Sequence, residues 1–365
     1  MPNRPQTTLG ELFNEVDGLK GEEQPVDKNQ KNQIKHVDIE ALQDGDIVDC
    51  VYYCSQKNLA MSKAGKAFLN MLIQDRSGEL MVRVFEDAEK IGTLFAEGDF
   101  IHLHGRAQSY QGNMQIVARN VQKIDPNTLN HEDFIPASKM DPDAMMARLH
   151  KVVDSIVDPD FSAIANELLN DPEIGQRFIK SPAAKGMHHS YLHGLMEHTL
   201  SMCMLGEHVC DHFHKLNRDL ILTGCLFHDI GKVYELGYDV AIEYTDSGKL
   251  LGHITIGVMI LEKLAERIEG FPVEKKRLLE HVVVAHHGTR DFGSPIIPAT
   301  VEALVIHHID NIDAKVNASL NFIEKSNDDA SWTDRHFLLQ TKLRKTMDAK
   351  PPLYDFRLDD EKEEK

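Results

Sequence analysis

The sequence predicts two domains in tandem, an all-β barrel of five strands followed by an all-α body. Three observations carry this prediction. The chain has 365 residues, enough to bury two separate cores. From Gly45 to about Val121, short apolar runs alternate with glycines and polar pairs, as strands and turns require. Beyond Pro126 the apolar spacing lengthens to that of a helix and keeps that period to about Phe322.

In chain order, residues 1–35 hold Pro2, Pro5, Pro25 and the polar run from Asp27 to Gln33, with one amphipathic patch at Leu9, Leu12, Phe13 and Val16. A flexible arm is expected there. The predicted strands are Ile47 to Cys54, Ala67 to Gln74, Leu80 to Phe85, Phe100 to Ala107 and Met114 to Val121. Asp75-Arg76-Ser77-Gly78 reads as a hairpin turn between the second and third, and Asp87 to Phe95 has helical spacing. Five strands with a helix after the third is the order of an OB-fold, assigned to residues 36–125. A helical linker is expected over 126–160. The helical body follows over 161–348, with a charged tail at 349–365. Apolar periodicity predicts helices over Met145 to Val157, Phe161 to Leu169, Leu192 to His214, Leu220 to His228, Thr255 to Ile268, Glu274 to His286 and Ala299 to Phe322.

Composition narrows the function. No apolar stretch is long enough to span a bilayer, and the N-terminus lacks the apolar core of a secretory signal, so a cytoplasmic protein with no membrane partner is expected. The five cysteines form no C-x-x-C pair, which argues against a disulfide framework or a zinc ribbon. A formal charge of −18 argues against a protein that coats duplex nucleic acid through a basic surface. That charge is uneven. Residues 46–125 carry nine Lys and Arg against ten Asp and Glu, a net of −1, which leaves −17 for the remainder. Gly65-Lys66 lacks the earlier glycine of a phosphate loop, and no H-E-x-x-H helix or G-x-S-x-G elbow occurs.

The informative residue is histidine. His198, the doublet His228-Asp229, His253, the pair His286-His287 and Asp310 follow one another at predicted helix ends and turns. The order resembles the HD superfamily of metal-dependent phosphohydrolases, most specifically in Leu226-Phe227-His228-Asp229-Ile230-Gly231-Lys232. The resemblance implies one metal on His198, His228, Asp229 and Asp310, and a second on His253, His286 and His287, with Asp229 as bridge. Physical chemistry agrees: the negative end of the helix dipole behind the doublet favours a cation. Imidazole and carboxylate ligands without thiolate suit Mn²⁺, Fe²⁺, Co²⁺ or Zn²⁺. A carboxylate has two oxygens with which to bridge ions about 3.5–4 Å apart, the spacing of two-metal phosphoryl chemistry. Asp229 and Lys232 are the expected catalytic residues, the lysine by reaching a phosphate oxygen. Gly231 is expected to let the chain turn away. His189 and His193 are read as lining the substrate entrance or orienting ligands, while His281, His307, His308 and Asp313 are read as supporting or solvent-facing groups.

In the barrel, alternation points Ala67, Leu69, Met71, Ile73, Leu80, Val82 and Val84 inward and leaves Phe68, Asn70, Arg83 and Phe85 outward. With Lys63, Lys66 and Tyr110 in flanking loops, this makes a face for stacking single-stranded bases. An OB-fold before an HD domain, with Gly186-Met187-His188-His189-Ser190-Tyr191 leading into Glu197-His198-Thr199, is similar to the YhaM family of 3′-to-5′ exoribonucleases. That resemblance spans about Val37 to Asp348 and implies single-stranded RNA as substrate, with single-stranded DNA as a second polymer, 3′-to-5′ polarity and Mn²⁺. His193 departs from it, since a small residue is expected there. Two other readings stay open at this point: a phosphohydrolase for a small nucleotide whose barrel serves a homo-oligomer, and a non-catalytic nucleic-acid-binding adaptor.

Overall fold

The computed structural model describes residues 36–61, 65–110, 113–185, 189–239, 241–324, 326, 330–336 and 339–346. The arm expected at 1–35, the tail at 349–365 and Lys63 lie outside the described residues.

Five strands, β1 (Ile47–Met61), β2 (Ala67–Gln74), β3 (Glu79–Val84), β4 (Phe100–Tyr110) and β5 (Asn113–Lys123), close into a barrel in the order β1-β2-β3-β5-β4. A short helix, α1 (Ala88–Gly92), follows β3. This is the expected OB-fold. All pairs are antiparallel except β3 with β5, where Val82 lies opposite Ile116. β1 runs seven residues past its predicted end because it serves two neighbours. Ile47 to Tyr53 pair with β4, and from Tyr53 onward, with a bulge at Cys54/Gln56, the strand pairs with β2. Alternation buries Leu69, Met71, Ile73, Leu80, Val82 and Val84 in the barrel core beside Tyr52 and Leu103.

Between the domains the chain is a hydrogen-bonded strap. Phe134 packs against Val51, Tyr53 and Phe100 of the barrel. Arg76 N–H in the β2–β3 turn donates to Asp133 O at 3.0 Å, and Ala137 N–H donates back to Arg76 O at 3.2 Å. Leu192 N–H then donates to Pro136 O at 2.8 Å and Ser138 N–H to Leu192 O at 2.9 Å, joining the strap to the helical body.

That body comprises α2 (Pro142–Asp154), α3 (Pro159–Asn170), α4 (Ile174–Lys180), α5 (Gly194–His212), α6 (Arg218–Phe227), α7 (Lys232–Glu235), the two-residue strands β6 (Leu236–Gly237) and β7 (Glu243–Tyr244), α8 (Asp246–Arg267), α9 (Val273–Ala285) and α10 (Val301–Glu324). A hairpin of β8 (Trp332–His336) and β9 (Thr341–Arg344) follows. α2 and α3 both start at an Asp-Pro pair: Asp141 and Asp158 cap two backbone N–H groups each, and proline supplies a first residue that needs no donor. Residues 126–160, expected as a linker, include α2, whose Met145, Leu149, Val152 and Val153 enter the same core as α5 and α6. The five cysteines are free and buried. Among the described residues no helix is long and apolar enough to cross a membrane.

Candidate metal centre and nucleic-acid face

From Leu220 to Phe227 α6 is buried and, Thr223 apart, apolar, so its C-terminus is carried into the interior, where His228 caps it and Asp229 follows. α5 runs beside α6 and brings in His198, α8 brings in His253, the end of α9 brings in His286 and His287, and α10 brings in Asp310. Gly231 is required for a different reason from the one expected. Its φ is an ordinary −61°, but an added Cβ would stand 1.9 Å from His253 O, so glycine lets α8 press against the doublet. His253 is aimed by a kink: Gly252, at φ +70° inside α8, interrupts the helix one residue earlier.

The two oxygens of Asp229 face different partners. Oδ2 lies 3.7 Å from His198 Nε2 and 3.4 Å from His228 Nε2, and Asp310 Oδ1 is 3.4 Å from the same His198 nitrogen. Oδ1 lies 3.5 Å from His253 Nε2 and 3.4 Å from His286 Nε2. His287 completes this second group, in which the three imidazoles offer nitrogens within 4.8 Å of one another. The structure therefore brings all seven sequence-predicted metal residues together.

Each ring is fixed through its other nitrogen. Nδ1 bonds Asp313 Oδ2 for His198 at 2.7 Å, Cys225 O for His228 at 2.8 Å, Glu235 Oε1 for His253 at 2.9 Å, Val283 O for His286 at 2.7 Å and Phe292 O for His287 at 2.7 Å. Donation from Nδ1 sets the tautomer that leaves the Nε2 lone pair pointing inward, the arrangement behind most metal-bound histidines. Asp229 Oδ1, His253 Nε2 and His286 Nε2 are buried and have no hydrogen-bond partner. Buried polar atoms are rarely left so. Donor pairs 3.4 to 3.7 Å apart are close to the separations of about 3.0–3.4 Å that ligands about 2.1 Å from one ion adopt. The donor set around Asp229 fits divalent-cation binding.

Electrostatics separates the two sides. Burial works against a charged His198, but hydrogen bonds to Asp310 and Asp313 outweigh it and push the imidazole up to about 10, so a cation bound there must displace the Nε2 proton. At His286 burial dominates and draws the ring down to about 4, which keeps its lone pair available at neutral pH. Burial also opposes the charge of Asp229, yet the Lys232 ammonium and His228 hold the carboxyl well below its usual range. Lys232 Nζ stands 2.5 Å from Asp229 Oδ2.

Other histidines take different places. His189 is fully buried behind His198, not at an entrance, with Nε2 3.0 Å from Asp313 Oδ2. His193 bonds Ile179 O through Nδ1 at 2.7 Å and has φ +68°, a left-handed conformation that favours glycine and explains the small residue expected there. His307 Nδ1 bonds His286 O at 2.8 Å, His281 Nε2 accepts from Ala299 N–H at 2.8 Å, and His308 is exposed. Sequence reasoning missed Glu235, which receives both the ring and the backbone N–H of His253. Its only signal is its position three residues past Lys232.

On the barrel, Phe68 and Phe85 stack with ring centroids 6.0 Å apart, Arg83 lies opposite Asn70, and the Arg83 guanidinium sits 5.7 Å from the Tyr110 ring centroid. Phe85 and Tyr110 are 52% and 50% exposed, so aromatic surface remains for a ligand. Lys66, just before β2, is exposed.

Residues 195–315 match the model of the HD domain family, and residues 55–124 match that of the OB-fold nucleic acid binding domain. The 3'-5' exoribonuclease YhaM of Bacillus subtilis (strain 168) is 31% identical over 299 residues, covering 82% of this chain and 94% of that protein. The protein of the same name from Geobacillus sp. (strain WCH70) is also 31% identical, covering 82% of this chain and 91% of its own. Among solved structures, the second OB-fold domain of replication protein A from Methanococcus maripaludis covers 25% of this chain and 96% of its own at 14% identity, with a TM-score of 0.21. On the identity and coverage of its curated relatives, the chain belongs to the family of the 3'-5' exoribonuclease YhaM.

Proposed function

We propose that this protein is a metal-dependent 3′-to-5′ exoribonuclease that shortens single-stranded RNA, with single-stranded DNA as a second substrate. The observation that carries the reading is Asp229, whose two oxygens each face a separate set of inward-pointing imidazoles. The relatives, named as 3'-5' exoribonucleases, supply the polarity and the polymer.

Two divalent ions are proposed, Mn²⁺ first among them, held on one side by His198, His228 and Asp310 and on the other by His253, His286 and His287, with Asp229 between. When bound, such ions supply Lewis acidity and make a water acidic enough to attack a phosphodiester near neutral pH. The protein's own groups do the rest. Asp229 and the anchored rings fix where the scissile phosphate must lie. Lys232, already a neighbour of Asp229, offers its ammonium to charge developing on a phosphate oxygen. Phe68, Phe85 and Tyr110 stack bases upstream, while Arg83, Lys66 and Lys63 meet phosphates. Cytoplasmic RNA is the proposed target, in a compartment that keeps the five buried thiols reduced.

The test is to incubate 3′-labelled and 5′-labelled single strands with the purified protein and Mn²⁺, beside Asp229→Ala. A ladder that shortens from the 3′ end with the wild type and is absent with the variant is the expected result. Intact strands beside hydrolysed mononucleotides would overturn the polymer reading in favour of a small substrate.

A further inference from the structure

We propose that His189 is a positioning residue of the metal centre, acting through Asp313 to hold His198. The inference rests on the metal centre described above, and its test reads metal binding directly.

His189 is held in place by its backbone first. Its φ is +45°, a conformation that costs a residue with a side chain about 1 kcal/mol or more. The surrounding chain enforces it. Ala183 N–H donates to His189 O at 3.0 Å. The start of α5 lies so close that a Cβ on Gly194 would stand 2.1 Å from the same oxygen. Strain of this kind persists where the fold over-determines a position, and here it delivers an imidazole to the fully buried space behind a candidate metal ligand.

One carboxylate then gathers three donors among the described residues. Asp313 Oδ2 accepts from His198 Nδ1 at 2.7 Å and from His189 Nε2 at 3.0 Å, while Asp313 Oδ1 accepts from the Ser201 hydroxyl. His189 Nδ1 in turn lies 2.9 Å from the Tyr191 hydroxyl. Asp313, His189 and His198 are all buried. A helix pair in a core does not need this. Burying a carboxylate and two imidazoles is expensive unless each polar atom is satisfied, and apolar side chains of the same size would hold α5 to α10 at least as well. The arrangement serves direction instead. With two other donors fixing its rotation, Asp313 presents Oδ2 to His198, whose ring cannot swing away from Asp229 and Asp310.

A third metal on His189, His198 and Asp313 is the rival reading of the same cluster, because these three also lie together. Geometry disfavours it. The 2.7 Å contact is a hydrogen-bond length, shorter than the separation of about 3.0 Å or more between two donors on one ion.

The experiment uses the full chain and titrates Mn²⁺ by calorimetry, with melting temperature measured in chelator. His189→Leu should weaken Mn²⁺ affinity about 10–100-fold, the usual effect of losing an outer partner of a metal ligand. His189→Gln, which can offer an N–H to Asp313, should recover most of that loss. A role confined to packing would lower the melting temperature in chelator and leave affinity alone, which overturns the proposal. If His189→Leu does not fold, Tyr191→Phe removes the hydroxyl that meets His189 Nδ1 and should still lower affinity several-fold; unchanged affinity there overturns the proposal too. Three tight ions per chain in the wild type would replace positioning by direct ligation. Failure of the wild type to degrade RNA, with two ions bound and the His189 effect intact, would sink the exoribonuclease reading alone.

Discussion

In the helical body the polar groups that matter are buried, and each candidate ligand ring is tied down through its Nδ1 nitrogen. On the barrel the corresponding groups are half-exposed aromatics and an arginine, touching mainly one another. The contrast matches the two proposed tasks. Chemistry on a phosphate depends on donors placed within a fraction of an ångström. Gripping any base of a moving strand depends on stacking, which tolerates imprecision and every sequence. Damage in the first region should therefore be severe and confined to turnover, and damage in the second should be graded and confined to binding.

The largest expected effect is at the bridge. Asp229→Asn keeps the shape of the side chain and removes the charge that both halves of the centre share, and turnover should fall by at least about 10²–10³-fold, the scale of losing one electrostatic anchor of a transition state. A variant with near-normal turnover in steady-state assays would break the contrast at its strongest point. Next comes the barrel: Phe68→Ala and Phe85→Ala should each weaken binding of a single strand by about 1–3 kcal/mol, roughly 5–150-fold in affinity. At saturating strand, kcat should hold. Loss of kcat without loss of affinity in anisotropy titrations would mean that this face does not carry the strand.

The smallest effect concerns the barrel's own stability. Asp75, fully buried, accepts from Ile39 N–H at 2.7 Å and Ser77 N–H at 2.8 Å. Burial works against its charge, but hydrogen bonds from His36, Ser77 and Ile39 hold the carboxyl below its ordinary value. A depressed carboxyl contributes stability that is full above its unfolded pKa of about 3.9 and fades as pH falls through the lower folded value. Asp75→Asn should cost about 1–2 kcal/mol at pH 7 and progressively less below pH 4 in thermal melts. An equal loss at both pH values would show that the charge of Asp75 contributes nothing.

The strands of the barrel and the long helices were legible because their apolar periods are set by burial on one face, as at Leu69, Met71 and Ile73. The cluster of candidate ligands was legible because a His-Asp doublet with further histidines in that order is a pattern that helix packing does not call for. Glu235 was not, since one glutamate among many carries no periodic signal, and only the fold shows it against His253. α4, at seven residues, is too short for a pattern, and the β8–β9 hairpin lacks a strong alternation. The role of His189 depends on a left-handed backbone that no spacing reveals.

The strap between the domains carries one more implication. Main-chain hydrogen bonds tie the β2–β3 turn to Asp133 and Ala137, and Pro136 and Ser138 to Leu192, so the barrel cannot swing over the helices without breaking them. On the proposed function, advance by one nucleotide is then a movement of the polymer and not of the barrel.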